Sequence, residues 1–193
     1  KRDILHADET TLQVLHEPGR EATTKSFLWL YRTGRDGPPI ILYEYQTTRA
    51  GKHPRRFLKG FKGYLHVDGY EGYNGLSEVT LVGCWAHARR KFDEALKALP
   101  EDKRNAAVAA REGLEYCNRL FAIERELKEA TPEERYQIRQ ERSRPVLDEF
   151  LAWLKKQKSH VLPKSTFGQA VYYCLSQWDK LVAFLQDGRL ELD

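Results

Sequence analysis

Tyr64-Leu-His-Val67 alternates as a short strand does, and Asp68-Gly69 stops it with a turn. The strand-like run before it, Ile40 to Tyr45, is joined to it through a segment with the apolar spacing of a helix at Phe57, Leu58 and Phe61. A strand reached through a helical crossover lies parallel to a neighbour in its sheet. The chain is therefore expected to be α/β, with Asp68 at the carboxyl end of a mostly apolar strand, where open sheets present their chemistry. A carboxylate there loses hydration unless something neutralises it, and a metal ion is a common partner. The plainer reading is an aspartate capping a turn ahead of a glycine.

The residues before this strand read as an antiparallel meander. Ile4 to Leu15 forms a first strand with His6, Asp8, Thr10, Leu12 and Val14 on one face, and Glu17-Pro-Gly-Arg20 turns it. Phe27 to Tyr31 is a second strand, Thr33 to Pro39 a Gly/Pro-rich loop, and Ile40 to Tyr45 a third strand. A basic segment follows, with Arg49, Lys52, Arg55, Arg56, Lys59 and Lys62, His53 among them and no acid between. Its second half is expected to be a short helix with its cations outward. Such a face suits phosphates, and a merely solvated basic face fits the residues as well.

Beyond Asp68, Tyr70 to Leu76 reads as a turn or short helix. Gly69, Gly72 and Gly75 do not have the spacing of a phosphate-binding loop, and close packing of Tyr70 and Tyr73 explains them better. Val79 to Cys84 is a fifth strand. The helix after it carries Trp85, Ala88, Phe92, Leu96 and Leu99 on one stripe, with His87, Arg89, Arg90, Lys91 and Glu94 on its other faces.

From Asp102 onward the pattern is helical throughout. Ala110, Leu114, Cys117, Phe121 and Leu127 mark one helix, and Thr131-Pro-Glu-Glu134 is a capping box opening the next. Pro145 is expected to break or kink it, and the alternating charges of Glu133 to Arg144 read as a solvated face. Phe167, Val171, Cys174, Leu175, Trp178, Val182 and Leu185 keep the clearest helical period, with Gly188 as the stop.

At 41% hydrophobic and 31% charged residues the chain can bury a core, and its net charge of +4 permits a polyanionic partner without demanding one. No run is long enough for a membrane span and no signal peptide opens the chain, so a cytoplasmic protein with Cys84, Cys117 and Cys174 reduced is expected. The absence of Met, even at position 1, points to a processed or excised piece of something longer.

Asp8 and Asp68 sit sixty positions apart, each two residues after a histidine, His6 and His66, on the same strand face. If their strands are parallel neighbours, the carboxylates meet and would hold Mg²⁺ or Mn²⁺, which favour hard oxygen ligands. Two such ions about 4 Å apart can clamp the attacking and leaving oxygens of a phosphodiester. His6 and His66 suit hydrogen-bonding roles beside the acids, with direct ligation as the alternative. Cys84-x-x-His87 has half of a zinc spacing and no second pair to complete it.

Three segments together, His6-Ala-Asp-Glu-Thr10, Val67-Asp-Gly-Tyr-Glu-Gly-Tyr-Asn74 and Gly83-Cys-Trp-Ala-His-Ala-Arg-Arg-Lys-Phe92, resemble the insertion-sequence-66 transposases, DDE enzymes of bacterial mobile elements. The resemblance covers the whole chain. It implies a ribonuclease H-like mixed sheet, with three antiparallel strands then parallel ones, and a large all-helical insertion. The expected parts are a catalytic core at 1–100, the insertion at 101–188 and the approach to a third motif at 189–193. Asp8 and Asp68 would be the first two catalytic carboxylates and the ligands of Mg²⁺ or Mn²⁺. His6, His66 and His87 would lie behind them. Arg49, Lys52, Arg55, Arg56, Lys59, Lys62, Arg89, Arg90 and Lys91 would contact double-stranded DNA, with an ordinary surface-helix reading fitting Arg89, Arg90 and Lys91 as well.

In the family the third carboxylate is a Glu in Asp-Asn-Asn-x-x-Glu-Arg. Here Gly188-Arg-Leu-Glu-Leu-Asp193 supplies the approach and the first Asp only, and Glu191 and Asp193 are not equivalents. Strand transfer by these residues alone is therefore not expected. A sheet face short of its last helix is expected to be covered by a second copy, giving a homo-oligomer. The rival readings are a ribonuclease H-like nuclease and a non-catalytic DNA-binding or assembly module.

Overall fold

The computed structural model describes residues 2–35, 37–101 and 108–193. The helix expected from Asp102 begins within them at Val108; residues 102–107 lie outside the described residues. The chain forms two compact units, Lys1–Val82 and Gly83–Asp193.

The first unit is built on a mixed sheet. Its strands are β1 (Ile4–Gln13), β2 (Lys25–Thr33), β3 (Ile41–Gln46), β4 (Gly63–Val67) and β5 (Val79–Gly83), whose last residue opens the second unit. Their order is β3-β2-β1-β4-β5. β1 and β2 run antiparallel with Leu5 opposite Thr33 and Gln13 opposite Lys25, and β2 and β3 are antiparallel as well. β4 lies parallel to β1, with Ile4, Leu5 and His6 beside Tyr64, Leu65 and His66. The crossover rule thus holds, and it sets β1 at the centre of the sheet.

Glycine makes the start of β4 possible. Gly63 has φ +134°, and a Cβ there would lie 2.1 Å from the Asp3 carbonyl oxygen, to which the Tyr64 amide donates at 2.8 Å. On one sheet face Ala7, Trp29, Tyr31, Leu65 and Val67 join Leu58 and Tyr73 in a buried cluster. Each large side chain buried there contributes about 1.5–3 kcal/mol.

The short helix of the basic segment, α1, spans Lys52–Phe57, earlier than the Phe57–Phe61 spacing suggests. Pro54 explains the shift, since it is tolerated only in a first turn, where its missing N–H has no partner to lose. His53 and Pro54 face inward, and Phe57 stacks on Tyr31 with centroids 3.8 Å apart.

The second unit is helical: α2 (Trp85–Lys97), α3 (Val108–Glu126), α4 (Pro132–Ile138), α5 (Arg144–Lys158), α6 (Thr166–Ser176) and α7 (Trp178–Val182). α2 buries Trp85, Ala88, Phe92 and Ala95, one turn apart along a single face. Leu96 and Leu99, expected on that stripe, are half-buried. Trp85 packs among Phe150, Trp178 and Phe184, and its indole N–H donates to the Leu181 carbonyl at 2.8 Å.

The capping box forms as expected. The Thr131 hydroxyl accepts from the Glu134 amide at 3.2 Å, and the Glu134 carboxylate accepts from the Thr131 amide at 2.9 Å. Pro145 does not break the helix outright. A π-helical turn, Arg139–Ser143, widens the chain just before it, and Pro145 then falls in the first turn of α5. Arg139, expected on a solvated face, is fully buried. Gly188 follows the last helical turn, Ala183–Gln186, but its φ is not left-handed; a Cβ there would lie 1.7 Å from the Pro132 carbonyl oxygen. Close packing selects the glycine.

No helix among the described residues is long and apolar enough to cross a membrane.

Candidate functional site

The aligned pair His6 and His66 defines the geometry of the candidate site. Their rings stack with centroids 4.2 Å apart and planes 6° from parallel, and both are buried. Asp8 lies two residues beyond His6 on β1, and Asp68 two residues beyond His66, just past the end of β4. Asp8 is exposed and its Oδ1 accepts from the Glu9 amide at 2.9 Å. Asp68 is half-buried just past β4, and its Oδ1 accepts from the Tyr70 amide at 2.8 Å. His6 Nδ1 faces an Arg32 guanidinium nitrogen at 3.2 Å. The histidines thus form a buried stacked pair two residues ahead of the two acids in sequence.

The described residues contain no cluster of three or more His, Cys, Asp or Glu able to hold a metal. The donor type of Asp8 and Asp68 suits Mg²⁺ or Mn²⁺, because Mg²⁺ is commonly held by one or two carboxylates and completes its shell with water and substrate phosphate. Their hard oxygens are the right donors, and Asp8 is open to solvent.

The strongest electrostatic feature of this region is a residue that sequence reasoning left without a role. Glu9 lies on the opposite strand face from Asp8, across from Trp29. Its side chain is only 1% exposed and is paired with Arg49, with Nη2 at 2.5 Å and Nε at 2.7 Å from Oε1. Oε2 accepts from the Tyr73 hydroxyl at 2.6 Å. Burial pushes the Glu9 carboxyl above its ordinary value, Tyr73 and Arg49 pull it back, and the charge of Asp68 pushes it up again. The Tyr73 phenol is held well above its usual range by burial and by its bond to Glu9.

Arg49 also lies over the Tyr70 ring at 4.0 Å, and the Tyr70 hydroxyl donates to the Arg49 carbonyl. Tyr70 and Tyr73 meet edge to face at 5.9 Å around the three-residue turn Glu71–Tyr73. A Cβ at Gly72 would strike the Tyr70 ring at 2.1 Å, so close packing of the tyrosines does account for this glycine.

The basic segment divides by partner. Arg49 is tied to Glu9, Arg56 to Glu44 at 2.7 Å and Lys62 to Glu78. Lys52, Arg55 and Lys59 are exposed and make no ion pair among the described residues. In the second unit, Arg89 donates to Asn118 at 2.8 Å, Lys91 lies 5.1 Å from the Tyr173 ring, and Arg90 is exposed. His87 and Cys84 are half-buried on the first turn of α2 and its cap. Burial raises the Cys84 thiol above its ordinary value, the reverse of what a metal-ready thiolate needs.

Against known proteins, the model of the Transposase IS66 family matches residues 1–193. Three uncharacterised proteins of Sinorhizobium fredii are similar over nearly the whole chain. One, y4qI, is 34% identical over 97% of this chain and 36% of its own length. The second, y4hP, is 31% identical over 96% and 36%, and the third, y4jD, 33% over 97% and 38%. The chain thus spans rather more than a third of the length of the curated relatives it matches. No solved structure matches it. A family model that spans every residue, and contains all three motif segments, establishes that this chain belongs to the IS66 transposase family.

Proposed function

We propose that this chain carries the first two carboxylates, Asp8 and Asp68, of a DDE transposase centre on a ribonuclease H-like sheet, and that it acts on DNA phosphodiesters. The observation that carries the reading is the parallel register of β1 and β4, which pairs His6 with His66 at the head of two His-x-Asp segments. A bound divalent cation would supply charge neutralisation at the scissile phosphate and activation of water or a 3′-hydroxyl. Asp8, on β1, and Asp68, in the turn after β4, would hold it, with His6 and His66 in hydrogen-bonding roles beside them. Catalysis of this kind rests on positioning and charge stabilisation, with no covalent enzyme intermediate.

Lys52, Arg55 and Lys59 are the cations best placed to meet phosphates, since Arg49, Arg56 and Lys62 already face acids. Contacts of this type bind duplex DNA without reading its sequence. The 193-residue chain alone is expected to show little or no strand transfer, the third acid of the family motif not being among its residues.

The test is cleavage of transposon-end DNA with Mg²⁺ or Mn²⁺ by the full-length protein and by its Asp8→Asn and Asp68→Asn variants. Loss of cleavage in both variants, with duplex binding retained, supports the proposal. Wild-type cleavage by either variant contradicts it. Robust cleavage by the 193-residue chain would mean that Glu191, Asp193 or an acid such as Glu94 completes the site.

A further inference from the structure

The buried Glu9 side chain and the 45% exposed Arg49 side chain form an ion pair that the proposed chemistry does not use. Each Glu9 oxygen already faces a donor, Oε1 the Arg49 guanidinium and Oε2 the Tyr73 hydroxyl. Glu9 is therefore an anchor and not a spare metal ligand. What it anchors is a closed ring of contacts. Arg49 grips Tyr70 twice, through its guanidinium on the ring face and its carbonyl on the hydroxyl. Tyr70 meets Tyr73 edge to face, and Tyr73 returns to Glu9. Asp68 hangs from this ring by the Tyr70 amide. The two loops that carry it abut closely, because a Cβ at Gly51 would lie 2.7 Å from the Gly72 carbonyl oxygen.

We propose that Arg49, clamped by Glu9 and laid over Tyr70, is a positioning residue that fixes the Asp68 carboxylate for its ion; this rests on the reading of Asp8 and Asp68 above. Asp68 lies past the end of β4, so strand pairing does not hold it. The Tyr70 amide restrains Oδ1 of Asp68, and the Arg49–Tyr70 stack restrains the amide. The ion pair alone would not require such a stack, and Lys cannot replace Arg here because it lacks the planar group.

Mn²⁺ binding to the 193-residue chain, followed by electron paramagnetic resonance, tests this together with hydrogen exchange of the Tyr70 amide by NMR. Removing residues that orient a metal ligand costs about 10-fold to 100-fold in affinity. Arg49→Gln, Arg49→Lys and Glu9→Gln should each weaken Mn²⁺ by that factor and speed exchange at Tyr70, while Glu44→Gln, which frees Arg56 instead, changes neither. A merely structural pair would lower the melting temperature with both readouts unmoved in the folded protein, and that result overturns the inference. So does full recovery by Lys at position 49. If Asp68→Asn abolishes binding while the Arg49 and Glu9 variants bind as wild type, only the positioning role fails. If Asp8→Asn with Asp68→Asn leaves Mn²⁺ binding intact, or the wild type binds none, the site reading fails. The Tyr70 exchange rates then decide whether the ring restrains the turn.

Discussion

Replacing Arg139 with Met should destabilise the helical unit by about 3–5 kcal/mol, the cost of stripping one partner from a buried ion pair. Arg139 is fully buried. Its Nε and Nη2 bond both oxygens of Glu124 at 2.8 and 2.7 Å. Its Nη1 and Nη2 donate to the carbonyls of Phe184, Asp187 and Leu190 at 3.0, 3.2 and 2.8 Å. One guanidinium thus joins α3, the π-helical turn and the segment Phe184–Leu190, and it also lies 5.1 Å from the Phe184 ring. Met fills much of the volume but satisfies none of these acceptors, and it strands the Glu124 charge, whose side chain is 15% exposed.

Three of the four tryptophans, Trp85, Trp153 and Trp178, belong to this unit, so urea unfolding followed by tryptophan fluorescence reports on it. The variant should melt roughly 10 °C lower, at about 2–4 °C per kcal/mol for a chain of this size. Arg139→Met with Glu124→Leu should recover part of the loss, because the stranded charge goes as well. A single variant within about 1 kcal/mol of wild type would refute the reasoning, since surface substitutions cost no more than that.

Three further outcomes follow from the described geometry. Cys117 and Cys174 are fully buried and the Cys117 thiol is pushed up to about 12 by burial, so a thiol reagent near neutral pH should label half-buried Cys84 first and the other two only on unfolding. Early labelling of Cys117 would contradict the packing. Lys52→Ala, Arg55→Ala and Lys59→Ala together should weaken duplex binding and reduce its salt slope by up to about 3, near 0.9 for each phosphate that is no longer neutralised. An unchanged slope would remove α1 from the DNA interface. Burial pushes the Asp187 carboxyl up, but the Arg189 bonds outweigh it and hold it below its ordinary 3.8. A depressed folded value stabilises above the unfolded value and is lost as pH falls through the folded one. The stability gap between wild type and Asp187→Asn should therefore be full near pH 6 and shrink below about pH 4, measured by urea titration; a gap that grows on acidification would contradict it.

The parallel placement of β4 was legible from the helical crossover, and the repeated His-x-Asp pattern matches the pairing of His6 with His66. Glu9 was hidden by strand alternation. It stands next to Asp8 but points to the other face, and its partners Arg49 and Tyr73 lie forty and sixty-four residues away. A basic run reads as uniformly available for phosphates until folding assigns acids to some of its members, as Glu9 and Glu44 are assigned to Arg49 and Arg56. Arg139 escaped for a related reason. Charges alternating along a helix resemble a solvated face, and nothing local reveals that main-chain carbonyls forty-five to fifty-one residues downstream will enclose one of them. The length of α1 turned on Pro54, whose preference for a first turn outweighed the apolar spacing that follows it.

A crystal of the chain soaked in Mn²⁺, with an anomalous difference map at the manganese edge, addresses the two carboxylates directly. The predicted result is a peak at the carboxylates of Asp8 and Asp68, within ligand distance of both. An ion bound elsewhere, such as beside Cys84 and His87, or none near either aspartate at saturating Mn²⁺, would contradict a metal-dependent centre at this point of the sheet.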